Sequence, residues 1–152
     1  MAVILEFRVD ESVLAEDRRH DPAGTDPAVV ETTYFTMPVR FCVDHVELLK
    51  TRSGAWLTQP LLGLATHLSL ALSNLRSTGV ATCSVAGAGT LRLQRHGERV
   101  RLACDFNRLE AEVAIDELDG AVRLFCRHVK DALREFVPEI TTHPSWSTWF
   151  PR

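Results

Sequence analysis

Residues 99–139 read RVRLACDFNRLEAEVAIDELDGAVRLFCRHVKDALREFVPE, and this stretch decides the fold. Its first half alternates. Val100, Leu102, Cys104 and Phe106 take every second place around Arg99, Arg101 and Asp105, and Leu109, Ala111, Val113 and Ile115 repeat the pattern around Glu110 and Glu112. A side-chain period of two is that of a strand with one buried face and one wet face. The period then changes. Leu118, Ala121, Val122, Phe125, Val129, Ala132, Leu133 and Phe136 follow helical spacing. Asp116 stands where a cap belongs, with Asp119 three residues on, and Pro138 ends the pattern. Strands followed by an amphipathic helix predict an α+β domain with an antiparallel sheet.

Upstream, Leu91 and Leu93 alternate with Arg92 and Gln94, and His96-Gly97-Glu98 turns the chain toward Arg99. Val80 to Val85 reads as a further strand, joined through a turn at Ala86 to Gly89. The meander's wet face would set Arg92, Arg99 and Arg101 near Glu110 and Glu112, pairs worth a few tenths of a kcal/mol each. Before it, residues Gln59 to Ser77 predict a helix with Thr58 as cap, Pro60 in the first turn and Gly79 as stop. Leucines and alanines occur on nearly all its faces, so this helix is covered on more than one side.

Val3, Leu5, Phe7 and Val9 alternate with Ile4, Glu6 and Arg8 as a half-buried strand. Residues 10–28 are polar and punctuated by Pro22, Gly24 and Pro27, which predicts an acidic surface loop with one helical turn around Val13 to Asp17. Val29 to Thr36 is rich in β-branched and aromatic residues and reads as a strand interrupted at Pro38. Val39, Phe41 and Val43 continue it, Asp44-His45 sits at a hairpin turn, and Val46, Leu48 and Leu49 return. Residues 139–152 form an aromatic tail. The expected core includes Leu68, Leu72, Phe106, Val122, Phe125, Val129 and Leu133.

Composition bounds the function. A chain of 152 residues fits a single domain, 1–152, and buries about 70% of its unfolded surface without disulfides or metal. Its net charge of −3 argues against nucleic-acid binding. Cys42, Cys83, Cys104 and Cys126 form no C-x-x-C pair and read as buried, reduced thiols of a cytoplasmic protein. Glu6 and Arg8 within the first residues argue against a signal peptide. The uncharged stretch from Gly54 to Leu75 holds too many polar residues for a membrane span.

No pattern of catalytic, cofactor-binding or metal-binding type stands out. Gly87-Ala88-Gly89 lacks a third glycine, since Arg92 occupies that place, and a strand follows where a phosphate site needs a helix. Cys42, Asp44 and His45 supply the residue types of a thiol nucleophile and its base, but Cys42 and Asp44 share a strand face while His45 lies in the turn. The six histidines show no zinc spacing. Glu16-Asp17 and Glu110 with Glu112 read as solvated carboxylates.

Two features suit a protein partner. Residues 10–26 carry six carboxylates against Arg18 and Arg19, net −4, which suits steering toward a basic surface. Their contact candidates are Asp10, Glu11, Glu16, Asp17 and Asp21. The second feature is Trp146, Trp149 and Phe150, which either fold back onto the core or present Trp149 as a binding anchor.

Leu118 through Phe136, then Pro138-Glu139, His143-Pro144-Ser145-Trp146 and Trp149-Phe150, resemble small actinobacterial proteins of the polymorphic-toxin immunity type. The order of strands, buried helix, meander and long helix is similar to theirs. That resemblance implies a cytoplasmic antidote that binds and neutralises one toxin domain, a basic one if the toxin is a nuclease. It brings no defined functional residues. Two other readings stand beside it. One is a small-molecule-binding protein or enzyme with a pocket between the buried helix and the sheet, using His67, Tyr34, Cys42 and Cys104. The other is a homodimeric scaffold with the tail tryptophans across a two-fold axis.

Overall fold

A computed structural model describes residues 3–51 and 53–151. Strand β1 (Val3–Phe7) leads to helices α1 (Glu11–Arg18) and α2 (Pro27–Thr33). Strands β2 (Thr36–Val43), β3 (Val46–Glu47) and β4 (Leu57–Pro60) precede α3 (Leu61–Thr78). The meander β5 (Val80–Val85), β6 (Gly89–His96), β7 (Arg99–Cys104) and β8 (Glu110–Ala114) then feeds α4 (Ile115–Phe136) and the short α5 (Trp146–Trp149).

The α+β class is as expected, but the strands form two antiparallel sheets. One runs β5-β6-β7-β8 in sequence order. In the other, β2 is central, with β1 on one side and β3 and β4 on the other. Buried side chains carry the two sheets together. The Gln59 amide donates to Ala86 O and accepts from Ala86 N, both at 2.9 Å, and so clips β4 to the β5–β6 turn. Asn107 Nδ2 donates to Leu48 O at 2.9 Å at the other junction. Helices α3 and α4 pack antiparallel, with Ser69 beside Cys126 and Arg76 beside Asp116 and Asp119. Helix α3 also packs on β5 and β6, and α4 on β1 and β8.

Several expectations held. The Asp44-His45 turn has positive φ at both residues, 48° and 72°, the signature of a type I′ hairpin. Gly79 stops α3 in a left-handed conformation, its N–H on Leu75 O. Arg99 pairs with Glu112 and Arg101 with Glu110 across the meander, both at 2.6 Å. Leu68, Leu72, Val122, Phe125, Val129 and Leu133 are buried, whereas Phe106 lies in the turn after β7 and is half-buried.

Other expectations fail for local reasons. Residues 10–28 are helical for most of their length. Asp10 accepts from Ser12 N and Val13 N and starts a helix that buries Leu14. Val29 to Thr33 is helical too, because Asp26 caps at Ala28 N and Pro27 takes the first turn. Those start signals outweigh the β propensity of valine and threonine, and Thr32 returns its hydroxyl to Ala28 O at 2.7 Å. Thr58 pairs with Pro38 within the sheet and caps nothing. Asp116 sits inside the first turn of α4, where it complements the helix dipole and faces Arg76.

Phe35 is the joint of the N-terminal half. Its φ is 57°, unusual for an aromatic residue, and its ring is wholly buried. Asp17 accepts from Phe35 N at 2.7 Å, and Phe35 O accepts from Leu61 N at 3.1 Å at the start of α3. Burial raises the Asp17 pKa above the usual carboxylate value, against the opposing hydrogen bond from Phe35. Nearby, α2 crosses α3 at Gly63, where a Cβ would overlap the Glu31 carbonyl oxygen.

Two stability predictions follow from these contacts. Gly63→Ala should cost about 1–3 kcal/mol by overpacking. Gly120→Ala, in α4 with open space around it, should gain about 0.5–1 kcal/mol. Chemical denaturation reads both, and equal effects would refute the close approach of α2 to α3. Asp17→Ala should cost about 1–3 kcal/mol by leaving Phe35 N–H unpaired, while Asp17→Asn keeps an acceptor and costs less. A raised folded pKa means that the folded state binds the proton more tightly than the unfolded one. Relative to Asp17→Asn, the parent should therefore lose stability as pH rises from about 3.8 through the folded pKa. Parallel stability curves for the two proteins would contradict this.

Candidate functional site

The chemistry-bearing residues that the sequence singles out do not converge. Cys42 is buried in β2 opposite Ile4, and His45 belongs to the turn beyond it. Burial pushes the Cys83 thiol up to about 12, and burial with the nearby Asp105 charge pushes Cys104 to the same value. Such thiols stay protonated and inert at neutral pH. Gly87-Ala88-Gly89 forms the β5–β6 turn, with Gly87 at φ 73°. No group of three or more metal-ligating side chains occurs among the described residues, and none of the described helices is long and apolar enough to cross a membrane.

The expected acidic contacts are largely occupied by structural work. Asp10 caps α1, and the hydrogen bond from the Ser12 hydroxyl, aided by the capping N–H groups, lowers its pKa. Asp17 is turned inward to Phe35 N. Glu16 meets Arg19 at 3.3 Å and His20 at 3.4 Å. Asp21 holds a left-handed backbone before the 3₁₀ turn Pro22–Gly24. Glu11 stays exposed on the first turn of α1, and Arg18 pairs across to Glu139. The segment's net charge is therefore distributed among caps and pairs on one small helix.

Trp149 is 6% exposed and belongs to the core. Its Nε1 donates to Glu31 at 2.6 Å, and its ring lies 4.6 Å from that of His143. His143 is itself buried. Its Nδ1 accepts from Ser145 N at 3.0 Å, so Nε2 carries the proton and donates to Thr25 O at 2.7 Å. The aromatic tail thus folds back over α2 and α3, as one of the two sequence readings held.

That fold-back builds a groove which no sequence pattern announced. Between α3, α4 and the tail lies an open groove of about 560 Å³, lined by Ser69, Cys126, Trp149, Phe150 and three cations, Arg123, Arg127 and Lys130. At 100° per residue, Arg123, Arg127, Lys130 and Arg134 fall within an arc of about 60° on the outer side of α4. Arg123 is held by Asp119 at 2.8 Å. Arg127, Lys130 and Arg134 have no carboxylate within ion-pair distance among the described residues. The exposed residues of α3 over 66–74 are His67, Ser69, Leu70, Ser73 and Asn74, of which Ser69 lines the groove. Leu70 is 58% exposed, and Leu124 on α4 is 46% exposed. On the groove floor, burial raises the Cys126 pKa while the Ser69 hydroxyl, 3.4 Å away, opposes the rise. The clue in the sequence was the spacing of four cations by four, three and four residues, in a helix otherwise read for its apolar face.

Thiol titration with a small disulfide reagent at neutral pH should leave Cys83 and Cys104 unmodified in the native protein and modify both after denaturation. Rapid native labelling of either would contradict their burial. Compared with known proteins, the chain matches no family profile, no curated protein and no solved structure.

Proposed function

We propose that the chain is a non-catalytic protein-binding module of the cytoplasm, and that its partner docks on the outer face shared by α3 and α4. One observation carries this reading. Leu70 on α3 and Leu124 on α4 are both well exposed, and the row of cations on α4 runs between Leu124 and the side of that helix that meets α3, in a chain whose net charge is −3. An exposed apolar side chain is ordinary when alone. Two on adjacent helices, beside a groove lined by Trp149, Phe150 and three cations, give the mixed apolar and charged surface of a protein contact. In its finer form, which rests on the resemblance of residues 118–150, the partner is a toxin domain held one to one and blocked.

The test is capture of the full chain with its partner from cells of the source organism, followed by affinity measurement on the purified complex. Leu70→Asp with Leu124→Asp should weaken the complex at least about tenfold and leave the melting temperature unchanged, because both side chains already face water. Glu11→Lys with Glu16→Lys should leave the dissociation rate unchanged. An undiminished complex in the leucine variant, with loss in the glutamate variant, would move the contact to α1. No protein partner, together with a melting temperature raised by metabolites, would replace this reading with the small-molecule one.

A further inference from the structure

We infer that the groove between α3, α4 and the C-terminal tail takes an acidic polypeptide segment of the partner, laid along Arg127 and Lys130 toward Arg134, one turn further along α4. This inference rests on the protein-binding reading and names the chemistry of its ligand. Charge complementarity is the argument. Arg123 is already tied to Asp119, which Arg76 also approaches at 3.9 Å. The three cations beyond it have no such partner among the described residues; Arg127 and Arg134 are exposed and Lys130 is half-buried. Arginine receives carboxylates in a two-pronged geometry, so the row selects for acidic side chains at matching spacing.

The row spans about 10 Å from Arg127 to Arg134, the length of about two helical turns or three extended residues. A short segment therefore fills it. Nucleic acid fits less well. The groove's cations all come from α4, α3 contributes Ser69 to the lining, and Trp149 and Phe150 are more than nine-tenths buried, which leaves little ring surface for a base to stack on. A peptide needs no stacking surface, and it can use the Ser69 hydroxyl.

The experiment is fluorescence anisotropy on the full chain with three labelled probes. These are a peptide of about 12 residues carrying Glu and Leu at helical spacing, the same peptide with every Glu replaced by Gln, and single- and double-stranded DNA of about 20 nucleotides. Near 50 mM salt the Glu peptide should bind at least about tenfold more tightly than the Gln peptide, with most of that difference lost near 300 mM. Arg127→Glu with Lys130→Glu should abolish the preference, while Glu11→Lys with Glu16→Lys should preserve it. Equal binding of the two peptides, or an unchanged preference in the Arg127→Glu, Lys130→Glu variant, would overturn the inference. So would tighter binding of either DNA. Concentration-dependent growth in mass by light scattering, absent from the same variant, would overturn it in favour of a second copy of the chain. Failure here with a leucine-dependent complex intact would leave the protein-binding reading standing, whereas loss of both would remove the two together.

Discussion

Phe35 holds a left-handed backbone with its ring wholly inside the protein, and the N-terminal half is arranged around that residue. Such a conformation costs about 1–2 kcal/mol for a residue with a Cβ. Burial of the ring offsets about 1.5–3 kcal/mol. Its N–H goes to the Asp17 carboxylate from α1, and its carbonyl receives Leu61 N–H from α3. A single residue thereby turns α2 into β2, anchors α1 from outside and sets where α3 begins. Asp17 is consequently a folding residue.

The helix that Phe35 positions is the one shared by every other layer. Helix α3 leaves β4 directly, passes under α2 at Gly63, packs on the meander and lies against α4. The two sheets meet without a continuous ladder. Their junctions use side-chain amides, with Gln59 reaching Ala86 and Asn107 reaching Leu48. A buried amide satisfied on both of its polar atoms behaves as a backbone pair would, and removing it would leave buried polar groups unmatched. This arrangement spends one side of the α3–α4 pair on the sheets and leaves the other in water.

Surface charge is consequently divided by role. Asp10 and Asp26 sit at helix starts, where unpaired N–H groups attract them, and Asp17, in the last turn of α1, takes the Phe35 N–H, so all three are occupied by the backbone. Cations on the outer arc of α4 meet no such demand, since mid-helix backbone groups are already paired. Arg127, Lys130 and Arg134 are paired with no carboxylate among the described residues, and Arg127 and Lys130 line the groove beside the folded-back tail.

Periodicity by itself determined the meander, the amphipathic α4, the buried α3 and the Asp44-His45 hairpin, because each rests on local spacing or on a turn requirement that a few adjacent residues state. Short helices were harder to read. In α1 polarity and nearby Pro and Gly point to a loop, in α2 the β-branched residues point to a strand, and capping aspartates point to helix in both; the outcome depends on Leu14 and Val30 finding a core that neighbouring residues cannot specify. Only the tertiary structure decided that the strands divide into two sheets, that Asp17 faces inward and that Trp149 belongs to the core. It alone brought Arg123, Arg127 and Lys130 of α4 beside Ser69 and the tail. These outcomes join residues as far apart as Glu31 and Trp149, and contacts across such separations follow from packing, which no local pattern encodes.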